Sequence, residues 1–440
     1  MRLQGTMAVS PAGHLVIGGC DTVELAREFG TPLLVIDEAC LRDRCRAFRQ
    51  AFGPDNVLYA GKAFLMQAIC RIVAEEGLGL DVVSGGELFT ALSAGFPPEK
   101  LYFHGNNKAQ EELEQALAAG VGRIVVDNFR ELELLSALAV RNGDHPVRVL
   151  LRLTPGIEAH THEYIRTGQI DSKFGFALGN GQADEAVARV ASSSRLHMVG
   201  LHCHIGSQVF SLEPYAEAAA VMMDFAARVH RQNGLAVQEL DLGGGFGIYY
   251  AEGDQPRAPE EYARAIKQVV AQKAAAHGLP EPRILVEPGR AIIGPAGTTL
   301  YTVGSIKEIP GMRKYVAVDG GMADNVRPAL YQARYEALLA NKADRAAEEK
   351  VSITGKCCES GDMLIWDIWL PRAAPGDVLA VSCTGAYCYP MASNYNRLPR
   401  PAVVLVRDGE AELIGRRETY ADLLRLEVLP SRLRPPSAGM

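Results

Sequence analysis

The sequence predicts an α/β protein in two parts: a (β/α)8 TIM barrel, and a mostly antiparallel β domain that also takes in an N-terminal segment. Three observations predict it. Short β-type runs alternate with long Ala/Leu/Glu-rich stretches through the middle of the chain, which means a parallel sheet with crossover helices. The runs number eight, and that points to a closed barrel rather than an open sheet. After about residue 300 the alternation stops, and strands follow one another with few long helices between them.

Each element has its own signal. Pro32-Leu33-Leu34-Val35-Ile36-Asp37 reads as a strand ahead of the barrel, so residues 1–40 are expected to join the β domain. The barrel is expected over 41–300. Its strands are Val57-Leu58-Tyr59, Leu80 to Val83, Leu101-Tyr102-Phe103, Arg123 to Val126, Val147 to Leu153, Met198 to His202, Glu239 to Leu242 and Ile284-Leu285-Val286. Between them, stretches such as Phe64 to Glu76 and Glu111 to Ala119 place apolar residues at helical steps. The β domain is expected over 301–430, with strands at Tyr315 to Asp319, Val351 to Thr354, Asp367 to Leu370, Val378 to Ser382 and Ala402 to Val406. Arg407-Asp408-Gly409-Glu410 is read as a hairpin turn, because Asp-Gly favours positive φ. Ala343 to Lys350 reads as a charged, exposed loop or helix, and 431–440, with Pro435-Pro436-Ser437, as a disordered tail.

Composition limits the function classes. At roughly 150 residues per domain the 440 residues suggest about three domains, although a barrel alone takes some 250. Lys plus Arg is 45 and Asp plus Glu is 52, a formal charge of −7, which argues against nucleic acid or anionic lipid as a partner. No apolar run reaches the roughly eighteen residues of a membrane helix, and Met1 to Gly5 carries no signal-peptide pattern. Nine cysteines without CxxC or zinc spacing imply a reduced, cytoplasmic protein.

A barrel carries its chemistry just after its strands. Here those positions hold Lys62, Ser84 to Glu87, His104, Asp127-Asn128, Arg152, His202 and His204, Gly243 to Gly245, and Glu287-Pro288-Gly289-Arg290. A lysine at a barrel mouth is more often a solvated group, but Lys62, among small residues, also suits a Schiff-base role, its pKa lowered by desolvation. Gly243 to Gly247 follows the seventh strand, where backbone N–H groups can meet a phosphate; three consecutive glycines let backbone approach a ligand. His202 and His204 stand two apart on a strand and share a face, one suited to the core and one to a ligand; no third ligand has suitable spacing, so no metal is expected. Glu287 could hold a pyridine nitrogen protonated, and Arg290 could pair with phosphate or carboxylate. Cys357 to Asp362 reads equally as a tight turn or as a thiol set between acids, and Gly385 to Asn396 reads as a binding loop.

Together these motifs resemble the diaminopimelate decarboxylases, of the barrel-type, alanine-racemase-like family of pyridoxal-phosphate decarboxylases. The likeness runs from about Thr31 to Tyr420 and rests on Tyr59-Ala60-Gly61-Lys62-Ala63, Asp81 to Glu87, Ala159 to Tyr164, Ser172-Lys173-Phe174-Gly175, His204 to Gln208, Cys358 to Asp362 and Met391 to Asn396. The resemblance implies pyridoxal 5'-phosphate bound to Lys62, with His204 on its ring and Glu287 at its nitrogen. Ser207, Gly245, Gly289 and Arg290 would hold the phosphate. Arg290, Arg327 and Tyr331 would take the substrate's distal carboxylate, Glu359 its distal ammonium, and Tyr387 would touch cofactor and substrate. Cys358 would supply the proton after carbon dioxide leaves. In the family Cys358 and Glu359 reach in from the neighbouring subunit, which implies a homodimer with a shared active site. Phe64 stands where many relatives have Asn, and Cys357 and Cys388 have no implied role.

The expected reaction is therefore conversion of meso-2,6-diaminopimelate to L-lysine and carbon dioxide, the last step of lysine biosynthesis. The competing readings are a related decarboxylase for ornithine, lysine, arginine or a carrier-tethered amino acid, and a non-catalytic cofactor-binding regulator. Neither membrane nor nucleic acid enters any of them.

Overall fold

All eight expected barrel strands form. The computed structural model describes residues 1–140, 146–157 and 172–434. An N-terminal antiparallel ribbon comes first: β1 (Ala8–Val9), β2 (Leu15–Ile17) and β3 (Cys20–Asp21). It is followed by β4 (Leu33–Asp37), which belongs to the second sheet. The barrel strands are β5 (Leu58–Ala60), β6 (Gly79–Val82), β7 (Leu101–Phe103), β8 (Arg123–Val126), β9 (Val147–Thr154), β11 (Leu196–His202), β12 (Glu239–Asp241) and β13 (Arg283–Leu285), all parallel; a short β10 (Phe176–Ala177) lies beside β9. The ring closes through the parallel bridge Val57–Val286, with the Leu58 N–H donating to Val286 O at 2.9 Å.

The inside of the ring is filled, as barrel closure requires. Leu58, Tyr102, Val125, Leu150, Val199 and Leu285 form one buried layer. Beneath it Glu239 accepts from Arg123 Nη2 at 2.6 Å and from Arg283 Nη2 at 2.8 Å, which plugs the N-terminal end. Both ends of the barrel are thus specialised: ion-paired packing below, open chemistry above.

The second sheet has the order β18-β17-β15-β14-β4-β20-β21, with β19 pairing β14 and β16. Its strands are β14 (Gly297–Ile309), β15 (Arg313–Val318), β16 (Ala337–Leu339), β17 (Glu349–Thr354), β18 (Met363–Leu370), β19 (Val378–Ser382), β20 (Ala402–Arg407) and β21 (Glu410–Gly415). All five expected C-terminal strands are there, and β4 pairs with β14 and β20 as an N-terminal member. The spine, β14, is an addition: a 13-residue strand touching β4, β15 and β19. The Asp-Gly turn is a two-residue hairpin, with Arg407 opposite Glu410 and both Asp408 and Gly409 at positive φ. Two expectations change. Glu349 and Lys350 open β17 rather than ending a loop, because Lys314 and the Ala373 N–H hold Glu349 in place. Ser431–Leu433 forms a 3-10 turn within the expected tail, while 435–440 lie outside the described residues.

The helix Gly85–Ser93 shows how a strand end is locked. Ser84 caps it by accepting from the Glu87 N–H, and Glu87 reaches back to accept from the Val83 N–H at 2.8 Å. Burial lifts the Glu87 pKa to about 7. An unfolded glutamate titrates near about 4.3, so between these values the native state keeps a proton that the unfolded chain has lost. That stability is fully present below the unfolded pKa and is lost as pH rises through about 7. Glu87→Gln, which cannot titrate, should gain about 1–2 kcal/mol relative to wild type between pH 5 and pH 8, since the group keeps some solvent contact. Urea unfolding at both pH values measures it; a difference independent of pH would refute the assignment.

Candidate active site

A cavity of ≈ 420 Å³ opens at the C-terminal ends of the barrel strands, under the second sheet. Ten of the twelve expected site residues line it: Lys62, His204, Ser207, Gly245, Glu287, Gly289, Arg290, Arg327, Tyr331 and Tyr387. Cys358 and Glu359 do not. They sit in the exposed turn before β18, where the Cys358 N–H donates to Asn396 Oδ1 at 2.7 Å. Of the resemblance motifs, Ala159 to Tyr164 falls wholly outside the described residues.

Lys62 follows β5 in a single 3-10 turn, Gly61–Ala63. The lowered pKa expected for it is not what its surroundings produce. Burial would lower it, but Tyr387, Asp81 and Glu287 outweigh burial and hold the amine above its ordinary value. Tyr387 from the β domain and acidic groups on other strand ends, all invisible in the local sequence, decide the direction.

Glu287 follows β13 and is 4% exposed. His104 Nε2 stands 2.8 Å from its Oε1, and His202 Nε2 lies 3.3 Å from its Oε2. Burial pushes the carboxyl up, yet His104 and His202 outweigh this and hold it well below the usual range. Asp241, fully buried nearby, goes the other way: burial and Glu287 push it well above the usual range. Of these two neighbouring carboxyls, Glu287 is driven toward its charged form and Asp241 toward its neutral one.

One further expectation is corrected here, and two gain detail. His202 ends β11, and His204 lies past it in the following turn, so the two do not share a strand. His202 is the buried core histidine; His204 faces the cavity, accepting at Nδ1 from the Gly244 N–H at 3.2 Å, and burial with Lys62 and Arg152 keeps its ring neutral. Second, linear spacing gave no third metal ligand, but folding brings potential ligand atoms of His104, His202, Asp241 and Glu287 within 4.8 Å of one another from four strand ends. Third, the glycine run is dictated by protein as well as by any ligand. A Cβ on Gly244 would lie 2.2 Å from Glu287 O, and one on Gly245 2.2 Å from Gly206 O. The loop can hold its place only as glycine.

The opposite wall is basic. Arg290 donates to Ser207 Oγ at 2.9 Å and to Tyr250 Oη at 2.6 Å; Arg327 donates to Tyr335 Oη at 2.5 Å. Both guanidiniums are buried, neither pairs with a carboxylate among the described residues, and Arg327 Nε has no partner there. Tyr387 packs under Arg290, its backbone at φ 61 and its N–H donating to Ala63 O at 2.9 Å, which ties this loop to the lysine turn. The sequence reading missed Tyr250 and Tyr335. The only local sign was an aromatic pair, Tyr249-Tyr250, just past the glycine run.

Comparison with known proteins agrees with this geometry. The pyridoxal binding domain of pyridoxal-dependent decarboxylases matches residues 38–294. Diaminopimelate decarboxylase of Bacillus subtilis is 54% identical over 432 residues, covering 97% of this chain and 98% of its own. That of Synechocystis is 47% identical over 441 residues, covering 97% and 93%. The crystal structure of diaminopimelate decarboxylase from M. jannaschii in complex with L-lysine matches with a TM-score of 0.91 at 36% identity, over 98% of this chain and 99% of that one. Across its barrel and from end to end, the chain belongs to the diaminopimelate decarboxylase family of pyridoxal-dependent enzymes.

Proposed function

We propose that this chain converts meso-2,6-diaminopimelate to L-lysine and carbon dioxide with pyridoxal 5'-phosphate, and that the roles follow the cavity's two poles. The carrying observation is the pair of buried guanidiniums, Arg290 and Arg327, that have no carboxylate partner among the described residues and share a cavity with Lys62. A buried unpaired charge costs several kcal/mol, so such a pair calls for an anionic group on the ligand. Diaminopimelate brings a distal carboxylate; ornithine does not. A relative crystallised with L-lysine, which retains such a carboxylate, supports the same reading.

The residues fit the cofactor. Lys62 would hold its aldehyde end, Glu287 its ring nitrogen, His204 its ring, and Ser207, Gly245 and the Gly289-Arg290 backbone its phosphate. Bound there, pyridoxal phosphate supplies an electron sink for the pair left when carbon dioxide departs. Glu287, kept ionised by two histidines, would favour the protonated form of the ring nitrogen. Arg290, Arg327 and Tyr331 orient the distal carboxylate, and Tyr387 covers the amine end. Burial of both poles excludes water from the reacting carbon.

Cys358 and Glu359 would enter from a second copy: Cys358 of the partner subunit would deliver the proton from Sγ, and Glu359 of the partner subunit would take the distal ammonium. Exposed apolar side chains support such a partner: Met312, Trp366, Trp369, Tyr420, Leu426 and Val428 all lie open on one chain. The nine free cysteines suit a reducing cytoplasm, and among the described residues no helix is long and apolar enough to cross a membrane.

Three measurements test this reading. Protein purified with pyridoxal phosphate should show a visible absorption band that Lys62→Ala abolishes; no band in the wild type would end the account. Arg327→Ala should lower kcat/KM for diaminopimelate at least about a hundredfold, as expected when one partner of a buried charge contact is removed; near-wild-type turnover would refute the distal-carboxylate role. Lys62→Ala and Cys358→Ala should each be inactive, yet an equal mixture, dissociated and reassociated, should recover about a quarter of wild-type activity if a dimer shares its sites. No recovery would show each site to be built from one chain.

A further inference from the structure

Two guanidiniums in one cavity repel each other, so something must fix their separation before any carboxylate arrives. Tyr250 occupies that place. Its hydroxyl accepts from Arg290 Nη1 at 2.6 Å, while its ring lies under the Arg327 guanidinium, 5.0 Å from centroid to Cζ. Arg290 Cζ lies 5.7 Å from the same centroid. Tyr335 meets the ring edge-on at 5.4 Å and accepts from Arg327 at its own hydroxyl. Tyr250 is 6% exposed and lines the cavity.

Its backbone is also fixed. The N–H groups of Tyr250 and Ala251 both donate to Asp254 Oδ2, at 2.9 and 3.1 Å. Two residues earlier, Gln208 clamps Ile248 by donating to its carbonyl at 2.7 Å and accepting from its N–H at 3.2 Å. The ring cannot drift, and two cation–π contacts and one charge-assisted hydrogen bond converge on it. A carboxylate has two oxygens at a set spacing, so it is received well only by donors held at a matching one.

We propose that Tyr250 is a specificity-determining positioning residue: it sets the spacing of Arg290 and Arg327 and thereby selects ligands that end in a carboxylate. This rests on the distal-carboxylate reading above. Tyr250 acts through the arginines, by a hydroxyl on one and a ring face on the other.

The two contributions separate by substitution. Tyr250→Phe keeps the ring and removes the acceptor; Tyr250→Leu removes both. In the holoenzyme, Tyr250→Phe should lower kcat/KM for diaminopimelate about tenfold, the loss expected of a hydrogen bond to a charged donor. Inhibition by L-lysine, which keeps the distal carboxylate, should weaken by a similar factor. Inhibition by 1,5-diaminopentane, which has none, should stay at the wild-type value, as should cofactor occupancy read from the visible band. Tyr250→Leu should weaken inhibition by L-lysine further and so narrow the preference for L-lysine over 1,5-diaminopentane. Equal weakening of both inhibitors, no change in either, or loss of cofactor instead would overturn the proposal. A wild type that is inhibited no better by L-lysine than by 1,5-diaminopentane would instead fell the distal-carboxylate reading on which it rests.

Discussion

A carboxylate kept ionised inside a barrel is the constraint on which this molecule depends. Glu287 is nearly sealed from solvent, and an isolated buried anion would take a proton rather than persist. It persists because His104 and His202 reach it from the ends of β7 and β11. Those three residues meet only if β5 and β13 close the ring, so the electrostatics of the site require the bridge at Val57–Val286. Closure in turn needs a filled interior and a sealed lower end, which the apolar layer and the Arg123–Glu239–Arg283 cluster supply.

The same cavity then carries the opposite charge at its other pole. Net charge is −7, yet the surface facing Lys62 from the β domain is basic. A global count says nothing about a pocket of this size. The anion at Glu287 and the cations at Arg290 and Arg327 never neutralise each other, because tyrosine hydroxyls and rings hold the arginines while histidines hold the glutamate. Each pole is satisfied within the protein just enough to be kept in place, and each still has capacity for a ligand.

Much of this was legible in the chain. The eight barrel strands and the Asp-Gly hairpin are local signals, set by runs such as Val147 to Leu153 and by backbone preference at Asp408-Gly409, and they form within a residue or two of their expected bounds. Ten expected residues line the cavity: Lys62 and Glu287 stood out by position after strands, whereas Arg327 and Tyr331 came only through the family resemblance. What escaped is non-local. The spine β14 opens with Gly-Thr-Thr, lacks a continuous apolar run, and changes from a buried first half to an exposed second half, so neither a buried nor an alternating pattern describes it. The pKa of Lys62 turns on burial set against Tyr387, Asp81 and Glu287, all of them distant in sequence. Tyr250 gains its place from Arg290, Arg327 and Tyr335, three residues that no spacing connects to it.

The β domain does more than cover the barrel. The short helix Arg290–Ile293 that follows Glu287 leads within four residues into β14, so the last barrel loop and the spine of the second sheet are one continuous piece. At that junction Gly297 and Gly385 pack backbone against backbone, with a Cβ on Gly385 falling 2.0 Å from Ile293 O. Tyr387, two residues on, bonds the lysine turn directly. Lys62 and Glu287 thus come from the barrel, Arg327 and Tyr331 come from the β domain, and a joint with no room for a side chain fixes the span between them. A ligand that must reach both poles is measured against that span. The separation of the two poles is thus set at the domain junction, and the charge of the second pole by the arginine pair.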